Sequence, residues 1–412
     1  MKPKAVLAYC REKGIKAFDL RFVDVLGYLR HISFPISALT EASFEEGFGH
    51  EIVLDESADE SPGHAILVPQ GGANYLDPFT PLPTLVLIAN VQDAIMREES
   101  PLDSRHVAIQ AMRYLESSTI GDGVVVKASS QFRIVRPEHS EFLAEPQSIF
   151  STLLACGSAD RDFRMRCEVA ETAAEAGLHI ERHFSGIQSS SELVLKPTPL
   201  VECCDDLFML RYLLGQNAWN HQETISTKEL WLPSQWSITR QGESIFVGSS
   251  YRGLSEVGVH AMGGIVKHAD VITAVAIAND ESIQNVPWLK LCSRNAVESI
   301  CRVAIVSNNP RDRAIEFRGA PAGCNAYLVY SAVLMAMIDG IQNKTAPGAA
   351  LEKQIDGTSD SIAYTIGMDA SGNPGRRQLM EKLMADSDFL SRGEVFSNEL
   401  IDSLCRQLGN TN

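Results

Sequence analysis

The stretch YRGLSEVGVHAMGGIVKH, residues 251–268, constrains this chain more than any other. It reads as a helix with a marked start. Ser255 is placed to cap it, and Glu256 falls in the first turn, where a carboxylate suits the positive end of the helix dipole. Val257, Ala261, Ile265 and Ala269 recur at helical spacing, so one face should be buried. Gly263 and Gly264 weaken helix propensity at adjacent positions, which implies close packing of another element against this backbone. Taken alone, such a stretch is a generic amphipathic helix, and its neighbours in the chain must decide what it belongs to.

Those neighbours alternate between strand and helix patterns. Residues 3–13 read as a short helix. IKAFDLRFVDVLGYLRHISFP (15–35) follows, with Phe18, Leu20 and Phe22 on one strand face and Asp19 and Arg21 on the other. Leu26 and Gly27 supply a turn. TLVLIANV (84–91) is another strand, and a boundary falls near residue 100. Helices are expected at 104–118, capped by Asp103 or Ser104, at 160–176, at 207–220 and at 325–344. Strands are expected at 124–126 and, as a pair, within 180–195. This gives an α+β chain in two parts, 1–100 and 101–412. The net charge of −16 argues against nucleic acid or anionic membrane as a general partner. The nine cysteines lack a C-x-x-C pair, which points to a reducing, cytoplasmic compartment. The apolar run 326–341 is too short for a membrane span and carries Asp339, so it reads as a core helix.

Several of these segments resemble the glutamine synthetase family in order along the chain. The family's central helix has a Y-x-G-L-S-E start and a G-G-I-x-K-H-A end. Its opening β-grasp domain runs F-V-D-L-R-F-x-D-x-x-G and then H-x-x-x-P, matched here by Asp19, Leu20, Arg21, Phe22, Asp24, Gly27, His31 and Pro35. NAYLVYSAVLMAMIDGIQNK (325–344) resembles N-P-Y-L…A-L-L-M-A-G-L-D-G-I-x-N-K, and 385–402 resembles the closing helix. The resemblance covers nearly the full length. It implies a β-grasp domain followed by a catalytic-type domain of curved antiparallel sheet backed by helices. It also implies a ring-type homo-oligomer.

The reaction centre is where the resemblance fails. The family phosphorylates glutamate with ATP, using two divalent cations held by five glutamates and a histidine, because hard cations want anionic oxygens. In KASSQF (127–132), Ser129 and Gln131 stand at the first two glutamate positions. In HFSGIQSSSELVL (183–195), Glu192 is kept, but its partner position near Phe184–Gly186 has no carboxylate. In KELWLPSQWS (228–237), Pro233 replaces the metal histidine and Gln235 a second histidine, while Ser237 survives. Glu316 and Arg318 are kept in AIEFR (314–318). The metal candidates are therefore Glu192 and Glu316. Arg302 and Arg311, with Arg318 and Ser237, are the candidates for binding substrate or nucleotide. QNVPWLKLCSRN (284–295) is shorter than the family's flexible loop and lacks its catalytic glutamate, and Gly49 replaces an aspartate of the small domain.

Two other features invite a functional reading. On a regular strand, His179, Glu181 and His183 share one face and offer a replacement metal site, or else a merely polar face. Trp231 and Trp236 flank the lost histidine motif and are expected to fill the former metal cavity.

The sequence thus points to a pseudoenzyme of this family with a binding, regulatory or assembly role. Its ligand would be a small carboxylate or nucleotide, or a protein partner, with no cofactor expected. The alternative is a divergent ATP-dependent carboxylate–amine ligase using Mg2+ held by Glu192 and Glu316. A new metal enzyme on the His179 face is a third reading.

Overall fold

The structure, a computed structural model, describes residues 2–56, 63–136, 152–228, 230–278, 301–305, 313–347 and 375–409. Helix α1 (Pro3–Glu12) precedes strands β1 (Ala17–Val23) and β2 (Leu29–Pro35). A one-turn helix α2 (Ser43–Glu46) leads to β3 (Phe48–Ile52), β4 (Gly63–Asp77) and β5 (Thr84–Asp93). These strands form one sheet in the order β2-β1-β5-β4-β3, with β1 antiparallel to β2 and parallel to β5. Phe18, Leu20 and Phe22 fill its core, as their alternation predicts.

The other face of β1 is not solvated. Asp19 and Arg21 are 3% and 4% exposed. Arg21 donates to Asp19 at 2.7 Å and to Asp77 at 2.5 Å, and its guanidinium lies 4.0 Å from the Tyr212 ring. Tyr212 belongs to helix α5 (Leu200–Asn220), so this polar face docks the first sheet onto the rest of the chain. The β1–β2 turn adds a second contact. Gly27 adopts φ +84°, a conformation glycine tolerates, and a Cβ there would sit 3.2 Å from Asn325. The Asn325 amide donates to the carbonyls of Asp24 and Val25.

Helix α3 (Ser104–Ser117) is capped by Asp103, whose carboxylate accepts from the Arg105 N–H. The second sheet then begins with β6 (Gly123–Val135). After α4 (Phe163–Ala176) come β7 (Ile180–Ser185), β8 (Ser191–Leu195) and β9 (Thr198–Pro199). Helix α5 starts seven residues before the predicted 207 because Pro199 and the buried Leu200, Cys203 and Cys204 already follow its inner face. Strands β10 (Thr224–Ser226), β11 (Ser234–Arg240), β12 (Glu243–Ser244) and β13 (Val247–Tyr251) follow. The sheet is completed by β14 (Cys301–Ile305) and β15 (Arg313–Phe317), in the order β14-β15-β11-β6-β8-β7.

The central helix α6 (Glu256–Lys267) is capped by Ser255, which accepts from the Gly258 N–H. It is followed by α7 (Ala269–Ile277). Gly264 is explained by α8 (Ala326–Gln342), and Gly263 by the Thr345 carbonyl just beyond that helix, 2.0 Å from where a Cβ would sit. A Cβ on Gly264 would lie 1.9 Å from the Ala336 carbonyl oxygen, and one on Gly340 would lie 2.3 Å from that of His260. The two helices therefore touch backbone to backbone. The Lys267–His268 pair that ends the motif serves the same contact. Lys267 donates to Asp339 at 2.9 Å, and the His268 ring nitrogens meet Asp339 at 2.8 Å and Asp386 at 2.7 Å. Helices α9 (Arg376–Ala385), α10 (Asp388–Ser391) and α11 (Asn398–Gly409) close the chain. Among the described residues, no helix is long and apolar enough to cross a membrane.

Candidate functional site

In an antiparallel sheet, residues directly opposite each other share a face. Arg302 pairs with Glu316, Glu316 with Gln235, and Gln235 with Lys127, so these four form one row across β14, β15, β11 and β6. Lys127, Ser129 and Gln131 follow along β6 at period two. Gln131 then pairs with Glu192, and Glu192 with Phe184. The candidate residues are thus brought to one face of the second sheet. The opposite face, carrying Val126, Ala128, Phe132, Trp236 and Ile238, packs into the helical core.

Glu192 is met by the two residues that stand where carboxylates were expected. Ser129 donates its hydroxyl at 2.7 Å and Gln131 its amide at 3.0 Å, one to each carboxylate oxygen. The Gln131 carbonyl accepts in turn from the Trp231 N–H at 3.3 Å. Glu316 is 5% exposed and wholly engaged. Arg302 grips it with Nε at 2.8 Å and Nη2 at 3.0 Å, and Arg318 donates Nε at 2.7 Å. The bidentate edge of Arg302 and the third bond from Arg318 place two guanidinium cations against one carboxylate.

The remaining candidates fall as follows. Ser237 lies on the same face of β11 and donates to Ser244 at 2.6 Å. Arg311 and the loop 284–295 lie outside the described residues. Lys127, which the sequence reading passed over, ends the row on β6 and pairs with Glu181 at 2.6 Å. Its signal was available, since it precedes Ser129 by one strand period.

Two expectations are corrected. Trp236 does not fill a cavity on the site face. It is fully buried on the core side, edge-on to Tyr330 at 5.1 Å, because it shares the parity of Val126 rather than of Gln235. Nor do His179, Glu181 and His183 form one face. The β7–β8 register shifts between Ile180 and Arg182, and this bulge breaks the period-two phase. Glu181 turns to Lys127 and Arg182. His183, opposite the buried Leu193, turns to α4, where it contacts Cys167 and the Phe163 ring. Burial and the nearby Arg166 hold its imidazole below the ordinary range. Among the described residues, no group of three or more His, Cys, Asp or Glu side chains is placed to hold a metal ion.

A pair of magnesium ions does not fit this donor set. Magnesium demands oxygen ligands at about 2.0–2.1 Å in octahedral array. Glu192 is satisfied by neutral donors and Glu316 by cations. Between Glu192 and Glu316 lie β6 and β11, so they stand three strand spacings, about 14 Å, apart along the sheet. The register also offsets them along β6, from Gln131 to Lys127.

A β-grasp-type sheet docked on a curved antiparallel sheet backed by helices defines a glutamine synthetase fold. Residues 101–406 match the glutamine synthetase catalytic-domain family, and the chain belongs to it. It is 29% identical to the glutamine synthetase of Methylococcus capsulatus over 98% of this chain and 94% of that protein. It is 28% identical to that of Aquifex aeolicus, over 97% and 93%. Among solved structures, it superposes on Plasmodium falciparum glutamine synthetase with a TM-score of 0.82 at 15% identity, covering 99% of this chain and 95% of that one. Ligand-free GmaS gives a TM-score of 0.77 at 19% identity, covering 97% and 93%.

Proposed function

We propose that this chain is a glutamine synthetase family member that does not run the synthetase reaction and works by binding or assembly through an inherited scaffold. The observation that carries this reading is the state of the two retained carboxylates. A cation entering at Glu316 would have to displace Arg302 and Arg318, which already supply its counter-charge at 2.7–3.0 Å. A cation entering at Glu192 would find one carboxylate, a serine hydroxyl and a glutamine amide. Family members use ATP with Mg2+ or Mn2+, and a triphosphate needs those charges neutralised. Arg302 and Arg318 suit a small anion better than a metal, since their forks stay charged and present N–H donors. A homo-oligomer accords with this scaffold.

A second reading is supported by kinship. Resemblance to named synthetases spans 98% of the chain, which favours a divergent carboxylate–amine ligase with Mg2+ and ATP. Calorimetric titration of metal-stripped protein with magnesium-ATP, then manganese-ATP, separates the two. The expected result is no metal-dependent saturation. Micromolar binding that disappears without metal, followed by ATP turnover with a carboxylic acid and an amine, would overturn the proposal in favour of the ligase.

A further inference from the structure

The ring of His268 lies at the junction of α6 and α7, 1% exposed and stacked on Phe389 with ring centroids 3.8 Å apart. Each ring nitrogen faces a carboxylate. Nε2 lies 2.8 Å from Asp339 of α8, and Nδ1 lies 2.7 Å from Asp386, which ends α9. An ionised carboxylate only accepts hydrogen bonds, and only the imidazolium carries an N–H on both nitrogens. The two contacts are therefore both hydrogen bonds only while the ring is charged. A neutral ring turns one lone pair on a carboxylate oxygen.

The two carboxylates are not equivalent. Asp339 is 2% exposed and held by three other donors. Lys267 donates to its Oδ2 at 2.9 Å, and Arg392 and Asn343 each donate to its Oδ1 at 2.7 Å. Burial works against its charge, but the bonds from His268 and Lys267 outweigh burial and hold the carboxyl at about 2. The Asp386 side chain is 46% exposed, so it can turn to water. The remaining charged groups that meet this cluster, among the described residues, are Asp270 of α7 and Lys382 of α9, 3.6 Å apart. A ring with one proton keeps Asp339, and the contact that yields is the one to Asp386.

Asp386 opens the turn between α9 and α10. The start of α9 is anchored separately, by Arg376 on the carbonyls of Ile277, Ala278 and Gln407, so the turn can loosen while the helices stay docked. Beyond the turn, α11 carries Arg406 to Asp55, in the first part of the chain, at 2.9 Å.

We propose that His268 is a proton-operated latch, closing the α9–α10 turn onto α8 while it bridges Asp339 and Asp386 and releasing that turn when it loses its proton. The latch is shut at low pH and opens as the pH rises through the range in which histidines ordinarily change charge, about 5 to 8. It does not rest on the function proposed above.

The test is hydrogen–deuterium exchange of the full chain, read by mass spectrometry at about pH 5 and about pH 8.5, with labelling times scaled for base-catalysed exchange. The reporters are the amides of Leu390 and Ser391, which both donate to the Ser387 carbonyl, and of Phe396, which donates to that of Leu390. In the natural chain their protection should fall at least about tenfold at the higher pH, the loss of a charge-assisted bond, while the amides of β1 keep theirs. Asp386→Asn supplies an amide that accepts from the charged ring and donates to the neutral one, so its reporters should stay protected at both pH values. His268→Gln has no proton to lose and should show one level of protection at both. The proposal is overturned if the natural chain's reporters keep pace with β1, if Asp386→Asn loses protection as the natural chain does, or if His268→Gln retains the pH dependence.

Discussion

Replacing Glu316 with glutamine asks what holds the site face together. The side chain accepts three charge-assisted bonds, two from Arg302 and one from Arg318. Such bonds contribute about 1.5–3 kcal/mol each, without additivity. Breaking a buried pair from one side costs about 3–5 kcal/mol because the partner charge is stranded. Arg302 and Arg318 are 33% and 25% exposed, so water recovers part of that loss. Glu316→Gln should therefore cost about 2–4 kcal/mol in urea unfolding. A cycle with Arg302→Gln should give a coupling of about 1–2 kcal/mol. The same experiment in magnesium is sharper. If Glu316 belonged to a metal site with a Kd near 10 μM, 10 mM Mg2+ would stabilise the natural chain by about 4 kcal/mol. The expected gain is below about 0.5 kcal/mol. A coupling near zero, or a magnesium gain that vanishes in Glu316→Gln, would refute the assignment of Glu316 to its arginines.

Two further outcomes follow from other parts of the fold. Gly264→Ala should gain about 1 kcal/mol of helix propensity yet lower stability by at least about 3 kcal/mol, because its Cβ would meet the Ala336 carbonyl at 1.9 Å; a variant with an unchanged melting temperature would contradict the close α6–α8 contact. Burial pushes the Asp206 carboxyl up to about 7; the hydroxyl of Tyr75 pulls it back, and the charges of Glu202 and Asp205 add to the push. The folded chain then keeps a proton that the unfolded chain releases above about pH 4. Stability should fall by about 1–3 kcal/mol as pH rises from about 4 to about 7 and level off beyond. Asp206→Asn should flatten that slope, and equal urea midpoints for both proteins at pH 5 and pH 8 would rule the mechanism out.

The scaffold was legible because its signals are local or strictly periodic. Ser255 announces a helix start by chemistry alone, and Gly263–Gly264 announces a close neighbour without naming it. That the neighbour is α8, and that Lys267 and His268 reach Asp339, needs the tertiary pairing. The limits lie where phase or partner decides. Asp19 and Arg21 alternate like a solvated face, but Tyr212, far along the chain, buries them. One bulge in β7 sends Glu181 and His183 to opposite sides, and no residue type in HIERHF marks it. Parity on β11 puts Trp236 in the core, a matter of one residue that sequence spacing near Pro233 leaves open. The residue types along the face were readable position by position. Which of them meet was not, since Arg302 is 14 residues from Glu316 in the chain and Gln131 is 61 from Glu192.

Those pairings have a common logic. A partly or fully buried carboxylate needs opposing charge or donated hydrogen bonds to stay in place. Metal ions would supply that in a catalytic centre, and losing the metal while keeping the carboxylates would leave the sheet strained. Here each of these carboxylates has donors within reach: Glu192 takes Ser129 and Gln131, Glu316 takes Arg302 and Arg318, and the neighbouring Glu181 takes Lys127. Random decay of a metal site would leave unmatched charges. A face in which each one is answered folds without divalent ions, and its stability should accordingly be indifferent to chelators, which a melt in EDTA against a melt in Mg2+ reads directly.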